Sequence, residues 1–291
     1  MKKDGNQKLA IFSAILAAAF YAFNAPISKI LLVEIQPTMM AALLYLGAGL
    51  GMFGVNSAQK FIKHKSSELP LSKLDLPYVI WMILLDIIAP ILLMLGLSLT
   101  SSANASLLNN FEIVSTSIFA MIFFKEKISV RLWFGIILVS ISSMILSVSD
   151  WSRISFSLGS VFILLACISW GLENNCTRVL SNKDPMQIVM VKGFGSGLGS
   201  LLIAFTIGEN LPQSKYLMLA LVLGFAAYGL SVFFYVYAQR DLGAARTSTY
   251  YAVSPFLGVI FSLLIFSEIP SSTFVIALVL MILGAYFTSY D

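Results

Sequence analysis

Ionisable side chains inside long apolar stretches are the residues of this sequence best suited to do chemistry. Glu112 lies near the middle of one such stretch, with Asn109 three residues before it and therefore on the same face of a helix. Asp86 lies in an earlier stretch, and Glu173 and Lys192 lie in two consecutive later ones. If these stretches cross a bilayer, each charge costs about 2.5–3.5 kcal/mol, so each is a candidate for binding a substrate or a proton.

A charge pair between Glu173 and Lys192 is expected. Both lie roughly 10–12 Å from the same end of adjacent antiparallel helices, at a rise of about 1.5 Å per residue. The pair is either a static contact that fixes helix packing or part of a substrate or proton site. If it forms, Glu173 stays ionised and Glu112 is the better candidate to bind and release protons. The alternative for Glu112 is a protonated carboxyl bonded to Asn109 or to a backbone carbonyl.

Aromatic side chains at similar depths are candidates to line the same site. Trp170 lies three residues before Glu173 and four before Asn174, and Asn24 holds the position matching Glu173 in the first apolar stretch. An aromatic face beside a carboxylate favours an organic cation or an amino compound, although an amphoteric metabolite fits the same groups. Core packing or an interfacial position is the alternative for each aromatic residue. The candidate substrate contacts are Tyr21, Asn24, Trp81, Asp86, Asn109, Glu112, Trp170, Glu173, Asn174, Tyr235 and Tyr250.

The composition excludes a water-soluble globular protein. Hydrophobic residues make up 58% of the chain and charged residues 11%, and the mean hydropathy is +0.90. Only a bilayer can surround so much apolar side chain, which predicts an integral membrane protein. The formal charge of +4 comes from short basic clusters between apolar stretches and not from one basic face, so no nucleic-acid partner is expected.

No catalytic or metal motif is visible in the sequence. The single histidine, His64, lies in a polar loop, and no nucleophile motif, phosphate loop or metal-ligand spacing is present. Cys167 and Cys176 share one apolar stretch and lie roughly 13 Å apart along a helix, too far for a disulfide. We therefore expect no enzyme activity, no cofactor and no metal.

Ten apolar segments are long enough to cross a hydrocarbon core, which needs roughly 20 residues per helix. This predicts an all-α membrane protein. Most Lys and Arg residues fall on one side if the N-terminus is cytoplasmic, so both termini are expected in the cytoplasm, at a bacterial cytoplasmic membrane. The predicted segments are 9–33, 37–56, 77–99, 102–124, 129–148, 158–180, 184–206, 214–239, 243–266 and 270–289.

The two halves of the sequence repeat each other. Residues 21–29 match 170–178, and Phe124-Lys125-Glu126 matches Phe266-Ser267-Glu268. Each unit holds five segments, so the second copy enters the membrane from the opposite side, and we predict two inverted repeats, 1–150 and 151–291. Such repeats favour alternating access to a site near the midplane. Chance similarity between apolar helices is the alternative.

Six stretches carry a likeness to a known family, namely Ser106–Glu112, Phe124–Glu126, Ser169–Asn175, Tyr228–Ser231, Gly243–Thr247 and Ser254–Phe256. On these stretches the chain resembles the EamA-type branch of the drug/metabolite transporter superfamily over essentially its whole length. The resemblance implies a secondary carrier, often an exporter of amino acids, amines or other small metabolites. It also implies a cavity lined mainly by the first, third, fourth, sixth, eighth and ninth segments.

The fourth segment departs from the family pattern. Ile113 follows Glu112 where many relatives have proline, whereas Pro255 follows Ser254 in the ninth segment. Kink-based gating is therefore expected in the ninth segment.

We expect a secondary active transporter that exports a small polar or cationic organic metabolite by alternating access, with Glu112 coupling transport to protons. An importer of a quaternary ammonium compound such as choline is the first alternative. A membrane scaffold or sensor without transport is the second. The expected partners are a small-molecule substrate and the lipid bilayer, and a homodimer is left open.

Overall fold

The computed structural model describes residues 2–61, 69–125, 129–150, 155–267 and 269–288, which are almost entirely helical. His64, Glu126, Arg153 and Glu268 lie outside this part of the chain. A short 3₁₀ turn, Lys73–Asp75, and a π-helical segment, Phe225–Leu230, complete the helical structure. The α-helices are α1 Lys2–Ala22, α2 Asn24–Leu31, α3 Pro37–Phe61, α4 Leu76–Leu99, α5 Ser102–Leu108, α6 Phe111–Phe124, α7 Val130–Ser147, α8 Leu158–Leu180, α9 Pro185–Thr206, α10 Ser214–Gly224, α11 Ser231–Tyr251, α12 Ser254–Phe266 and α13 Ser272–Thr288.

Eight helical stretches in the described part of the chain are long and apolar enough to cross a membrane. Two shorter apolar helices follow them, Ser254–Phe266 and Ser272–Phe287. Large apolar side chains such as Phe12, Leu202 and Leu264 are exposed on the outside of the bundle, where lipid replaces water as the solvent. The protein is therefore an integral, multi-pass membrane protein.

The fourth predicted segment is interrupted although it has no proline. Its two parts, α5 and α6, meet at Asn109 and Asn110, where Glu112 N donates to Asn109 O at 3.1 Å in a bond that spans three residues. Asn110 Nδ2 also donates to Leu107 O, so its amide competes for a helix carbonyl. A similar interruption separates α11 from α12 just before Pro255. Interruption is thus not confined to the ninth segment.

The chain reverses its direction within the segment α11. Ser231 Oγ lies 3.3 Å from Tyr251 Oη, 20 residues along the chain, and the rings of Tyr235 and Tyr251 have centroids 4.9 Å apart. In a straight helix 20 residues span about 30 Å. The chain therefore reverses within α11, where the sequence predicts the turn between segments 214–239 and 243–266.

A small hairpin joins the two halves of the chain. Strand β1, Val148–Asp150, pairs antiparallel with β2, Ser155–Phe156, and Val148 lies opposite Phe156. Its two strands are only two and three residues long, too short for a period-two pattern to be recognised in the sequence.

One end of the bundle, here called the hairpin end, holds the β1–β2 hairpin, the last turn of α4 and the first turn of α3. Lys29 Nζ donates to Leu97 O at 2.7 Å, and Asn104 Nδ2 donates to Leu146 O at 3.4 Å. The Glu209 carboxylate accepts bonds from backbone N–H groups in the first turn of α3. Both charges are favourable, because a cation stabilises a helix C-terminus and an anion stabilises an N-terminus.

The helices pack in pairs that are related between the two halves. The helix α3 packs on α9, and α7 packs on α13. The helix α4 packs on α8 as α1 packs on α11, and α6 packs on α8 as α1 packs on α12. A Cβ atom on Gly193 would overlap the backbone of Gly49, so α3 and α9 are in direct backbone contact.

Candidate functional site

A cavity of about 60 Å³ lies inside the bundle, between helices from both halves. Segments 1, 3, 4, 6, 8 and 9 contribute to it, as the resemblance implies, and so do α3 and α9 from segments 2 and 7. Its lining combines carboxylates, one ammonium and aromatic rings, a composition that favours an organic cation. The lining residues are Tyr21, Tyr45, Asp86, Glu112, Trp170, Glu173, Asn174, Thr177, Lys192, Tyr228, Val232, Tyr235 and Tyr251.

Three charged side chains form a cluster at one wall of the cavity. Lys192 Nζ lies 2.8 Å from Glu173 Oε1 and 3.1 Å from Asp86 Oδ2. Tyr45 Oη donates to Asp86 Oδ1 at 2.8 Å, and the Thr177 hydroxyl donates to Glu173 Oε1. The charge cluster, Asp86, Glu173 and Lys192, therefore has two carboxylates for one ammonium. Sequence reasoning paired Glu173 with Lys192 but did not include Asp86.

The helix α8 positions this cluster. Glu173 and Thr177 are four residues apart, so they share a face of α8 and the hydroxyl reaches the carboxylate. Ser169 Oγ donates to Leu85 O at 3.1 Å, which fixes α8 against α4 one residue before Asp86. A Cβ atom on Gly171 would overlap Ser115, so α8 also lies close to α6. The carboxylates of Asp86 on α4, Glu112 on α6 and Glu173 on α8 thus line one cavity at a similar depth.

Glu112 forms a second acidic group beside the cluster. It lies in the first turn of α6, and Asn174 Nδ2 donates to its Oε1 at 2.6 Å. The same amide contacts Thr116 Oγ1 at 3.3 Å. No cationic group of the described side chains lies within 4.0 Å of Glu112. The hydrogen-bond partner of the Glu112 carboxylate is therefore the side-chain amide of Asn174, and not that of Asn109.

Tyrosine and tryptophan rings form a continuous aromatic wall. The Tyr21 ring packs edge to face on Trp170, with centroids 6.5 Å apart, and on Tyr228 at 5.7 Å. Tyr251 lies 5.9 Å from Tyr21 and 4.9 Å from Tyr235. Edge-to-face packing of this kind is favourable and holds the rings in fixed orientations.

Trp81 and Tyr250 do not line the cavity. Trp81 is 59% exposed on the outer surface, because it lies five residues before Asp86 and therefore about 140° around α4. Tyr251 occupies the cavity wall in place of Tyr250, which points about 100° away on the same helix. Both residues lie near the depth of the site along their helices, but their side chains lie on helix faces that do not line the cavity.

Asn24 and Asn109 lie behind the cavity wall. Asn24 Nδ2 donates to Tyr228 Oη at 2.9 Å, and Ser28 Oγ donates to Asn24 Oδ1 at 3.1 Å. Asn109 is buried at the break between α5 and α6, next to Cys167. The remaining predicted contacts all line the cavity, and they are Tyr21, Asp86, Glu112, Trp170, Glu173, Asn174 and Tyr235.

Tyr228 and Thr177 are cavity residues that sequence reasoning did not select. The repeat predicted from the sequence contains a signal for both. Tyr228 lies at the position matching Asp86, and Thr177 matches Ser28. Both contacts join the two halves of the chain: Asn24 of the first half bonds Tyr228 of the second, and Glu173 and Lys192 of the second half meet Asp86 of the first. One of these matched contacts is charged and the other is a neutral hydrogen bond.

The cavity is closed toward the hairpin end. Leu93 and Leu97 lie about two and three turns beyond Asp86 on α4, and both are fully buried. They belong to the largest apolar cluster of the described residues, together with Met40 and Leu108. Large side chains therefore fill the space between the cavity and that end of the bundle, and Lys29 bonds to the end of α4 above them.

The chain is similar to a known protein family, to a transporter sequence and to a solved structure. The sequence model of the EamA-like transporter family matches residues 8–148 and 157–290. An uncharacterized transporter from Methanothermobacter thermautotrophicus is 28% identical over 271 residues, which cover 88% of this chain and 79% of that protein. A solved crystal structure that is 14% identical in sequence superimposes on this chain with a TM-score of 0.69. The superposition covers 98% of this chain and 96% of the chain in that structure. The last likeness concerns the fold alone.

Proposed function

Because the chain belongs to the EamA-like transporter family, we propose that this transporter is a secondary carrier that exports a small cationic or polar organic metabolite by alternating access. One observation carries the proposal. The cavity is lined by three carboxylates, one ammonium and an aromatic wall. With all four groups ionised, the lining has two negative charges in excess, and an organic cation reduces that excess.

Two inverted repeats, 1–150 and 151–291, give this carrier its two states. The family match in two segments supports the repeat, as do the paired helix contacts. The backbone adds a further likeness, since Lys125 and Ser267 are the non-glycine residues with positive φ in the described chain, at 54° and 51°. They end α6 and α12 at matching positions. Ten crossings with both termini on one side follow from this arrangement, and the distribution of Lys and Arg favours the cytoplasm as that side.

Access alternates between the two ends of the bundle. With cytoplasmic termini, the hairpin end faces outward, and the packing of Leu93 and Leu97 supports a state closed to the outside. Lys29 holds α2 against the end of α4 in this state. Arg178 occupies the matching position in the last turn of α8.

Glu112 couples transport to protons in this proposal. The charge cluster gives Glu173 and Asp86 a shared cation, whereas Glu112 has only the Asn174 amide as a polar partner among the cavity residues. A proton and a cationic substrate therefore compete for Glu112. Export follows if protons enter at the outer side and displace the substrate there.

Calorimetry tests the competition directly. Purified protein in detergent is titrated with n-propylammonium chloride in two buffers of different ionisation enthalpy, which counts the protons released on binding. We expect proton release from the unmodified protein and from Glu34→Gln, an exposed surface control. Glu112→Gln is expected to bind without releasing protons. Equal release from Glu112→Gln would remove Glu112 from coupling.

The aromatic wall also gives a specific reason to consider a quaternary ammonium substrate, since aromatic rings recognise such cations. Import of a compound such as choline is therefore the second candidate. Family membership favours transport over a scaffold or sensor.

A further inference from the structure

We propose that the cavity selects a primary ammonium group and discriminates against a quaternary one. This inference rests on the proposed function, a carrier for an organic cation, and specifies the chemical class of that cation. The choice depends on whether the cavity offers hydrogen-bond acceptors or open aromatic faces, because a primary ammonium donates three hydrogen bonds and a quaternary ammonium donates none.

The carboxylates of the cavity provide acceptors that need donors. Asp86 is fully buried, and its Oδ2 lies 3.1 Å from Lys192 Nζ, an ammonium that it shares with Glu173. Glu112 accepts one bond from Asn174 and has no cationic partner among the described side chains. A quaternary ammonium placed here would displace water and leave these oxygens without donors, which is costly in a buried site. A primary ammonium would supply the missing donors.

The charge cluster already holds a primary ammonium. Lys192 Nζ lies between Glu173 Oε1 at 2.8 Å and Asp86 Oδ2 at 3.1 Å. Hydroxyl groups of Tyr45 and Thr177 complete the hydrogen bonds of the same carboxylates. The protein itself thus demonstrates that a group of this size and hydrogen-bonding capacity fits between carboxylates at this depth.

The aromatic wall does not form an open cage. The Tyr21 ring packs on Trp170, Tyr228 and Tyr251, and Tyr251 also packs on Tyr235. Rings that recognise a quaternary ammonium must present their faces to the cation. Here the rings contact one another. The cavity of about 60 Å³ also holds only about four to six waters, which disfavours a bulky trimethylated head group in this state.

A methylation series tests the selectivity. Dissociation constants are measured by calorimetry in detergent for methyl-, dimethyl-, trimethyl- and tetramethylammonium chloride. The four ions carry the same charge and differ in their N–H donors. We expect affinity to fall at each step and by at least about tenfold across the series, which corresponds to about 1.4 kcal/mol.

Two variants separate acceptor loss from general damage. Glu112→Gln removes a charged acceptor and is expected to reduce the discrimination between methylammonium and tetramethylammonium. Glu34→Gln, on the exposed surface, is expected to retain the full discrimination. Tetramethylammonium binding as tightly as methylammonium would overturn the selectivity and leave cation transport standing. Binding of a neutral amino acid, with none of the four ions bound, would instead overturn the proposed cationic substrate.

Discussion

Replacing Lys192 with methionine perturbs the charge cluster most sharply. Lys192→Met keeps the length and apolar part of the side chain but leaves Asp86 and Glu173 facing each other without a cation. Glu173→Gln is a milder change, because Lys192 still pairs with Asp86 at 3.1 Å and the cluster becomes neutral. The two substitutions therefore have unequal effects, although they remove partners from the same contact.

The magnitude follows from burial. The side chains of Lys192 and Asp86 are 8% and 0% exposed, and removing one partner from a buried ion pair costs about 3–5 kcal/mol. Lys183 and Asp75 form a matched control, since their atoms are 3.0 Å apart but their side chains are 23% and 15% exposed. A solvent-exposed pair of that kind contributes far less than a buried one, because water screens its charges. We expect Lys192→Met to cost several times as much stability as Lys183→Met.

Unfolding in detergent by sodium dodecyl sulfate titration, followed by circular dichroism, measures these differences. The deficit of Lys192→Met is expected to shrink as the pH is lowered, because protons neutralise the carboxylates that the lysine no longer pairs with. The Lys183→Met deficit should stay small throughout. The reasoning is refuted if Lys192→Met is no less stable than Lys183→Met, or if Glu173→Gln costs as much as Lys192→Met.

Two further substitutions test the packing around the site. Gly193→Ala is expected to destabilise the protein by about 1–3 kcal/mol through overpacking, because its Cβ atom would overlap the backbone of Gly49. The matched control is Gly54→Ala, whose Cβ atom would have no neighbour within 4 Å. This control should be neutral in the same titration. Lys29→Met removes the bond to Leu97 O. Amide hydrogen exchange should then rise in the last turn of α4 but not in α13, and unchanged exchange at α4 would contradict a capping role.

Depth along each helix could be predicted from the sequence, but the rotation of each helix could not. Glu173 and Lys192 lie at equal depth by simple counting, and the structure brings them together. Asp86 lies at a suitable depth too, yet its place in the cluster depends on how α4 rotates against α8. Trp81 was predicted to line the site from its depth, but the rotation of α4 places its side chain on the outer surface.

Local breaks in the helices were also only partly visible in the sequence. Pro255 marks the start of α12, as a proline in the first turn of a helix often does. The break at Asn109 and Asn110 has no such marker, because it depends on the side-chain amide of Asn110, which competes for the Leu107 carbonyl.

The sequence by itself determined that the chain is a multi-pass helical membrane protein of the EamA-like type, because composition, segment length and family motifs are properties of the chain alone. Only the tertiary structure decided which face of each helix meets the cavity. In water an amphipathic stripe marks the buried face of a helix, whereas lipid is as apolar as the protein core and leaves no such stripe. The inward face of α4, and with it the third member of the charge cluster, is therefore fixed by contacts with α8 and α9.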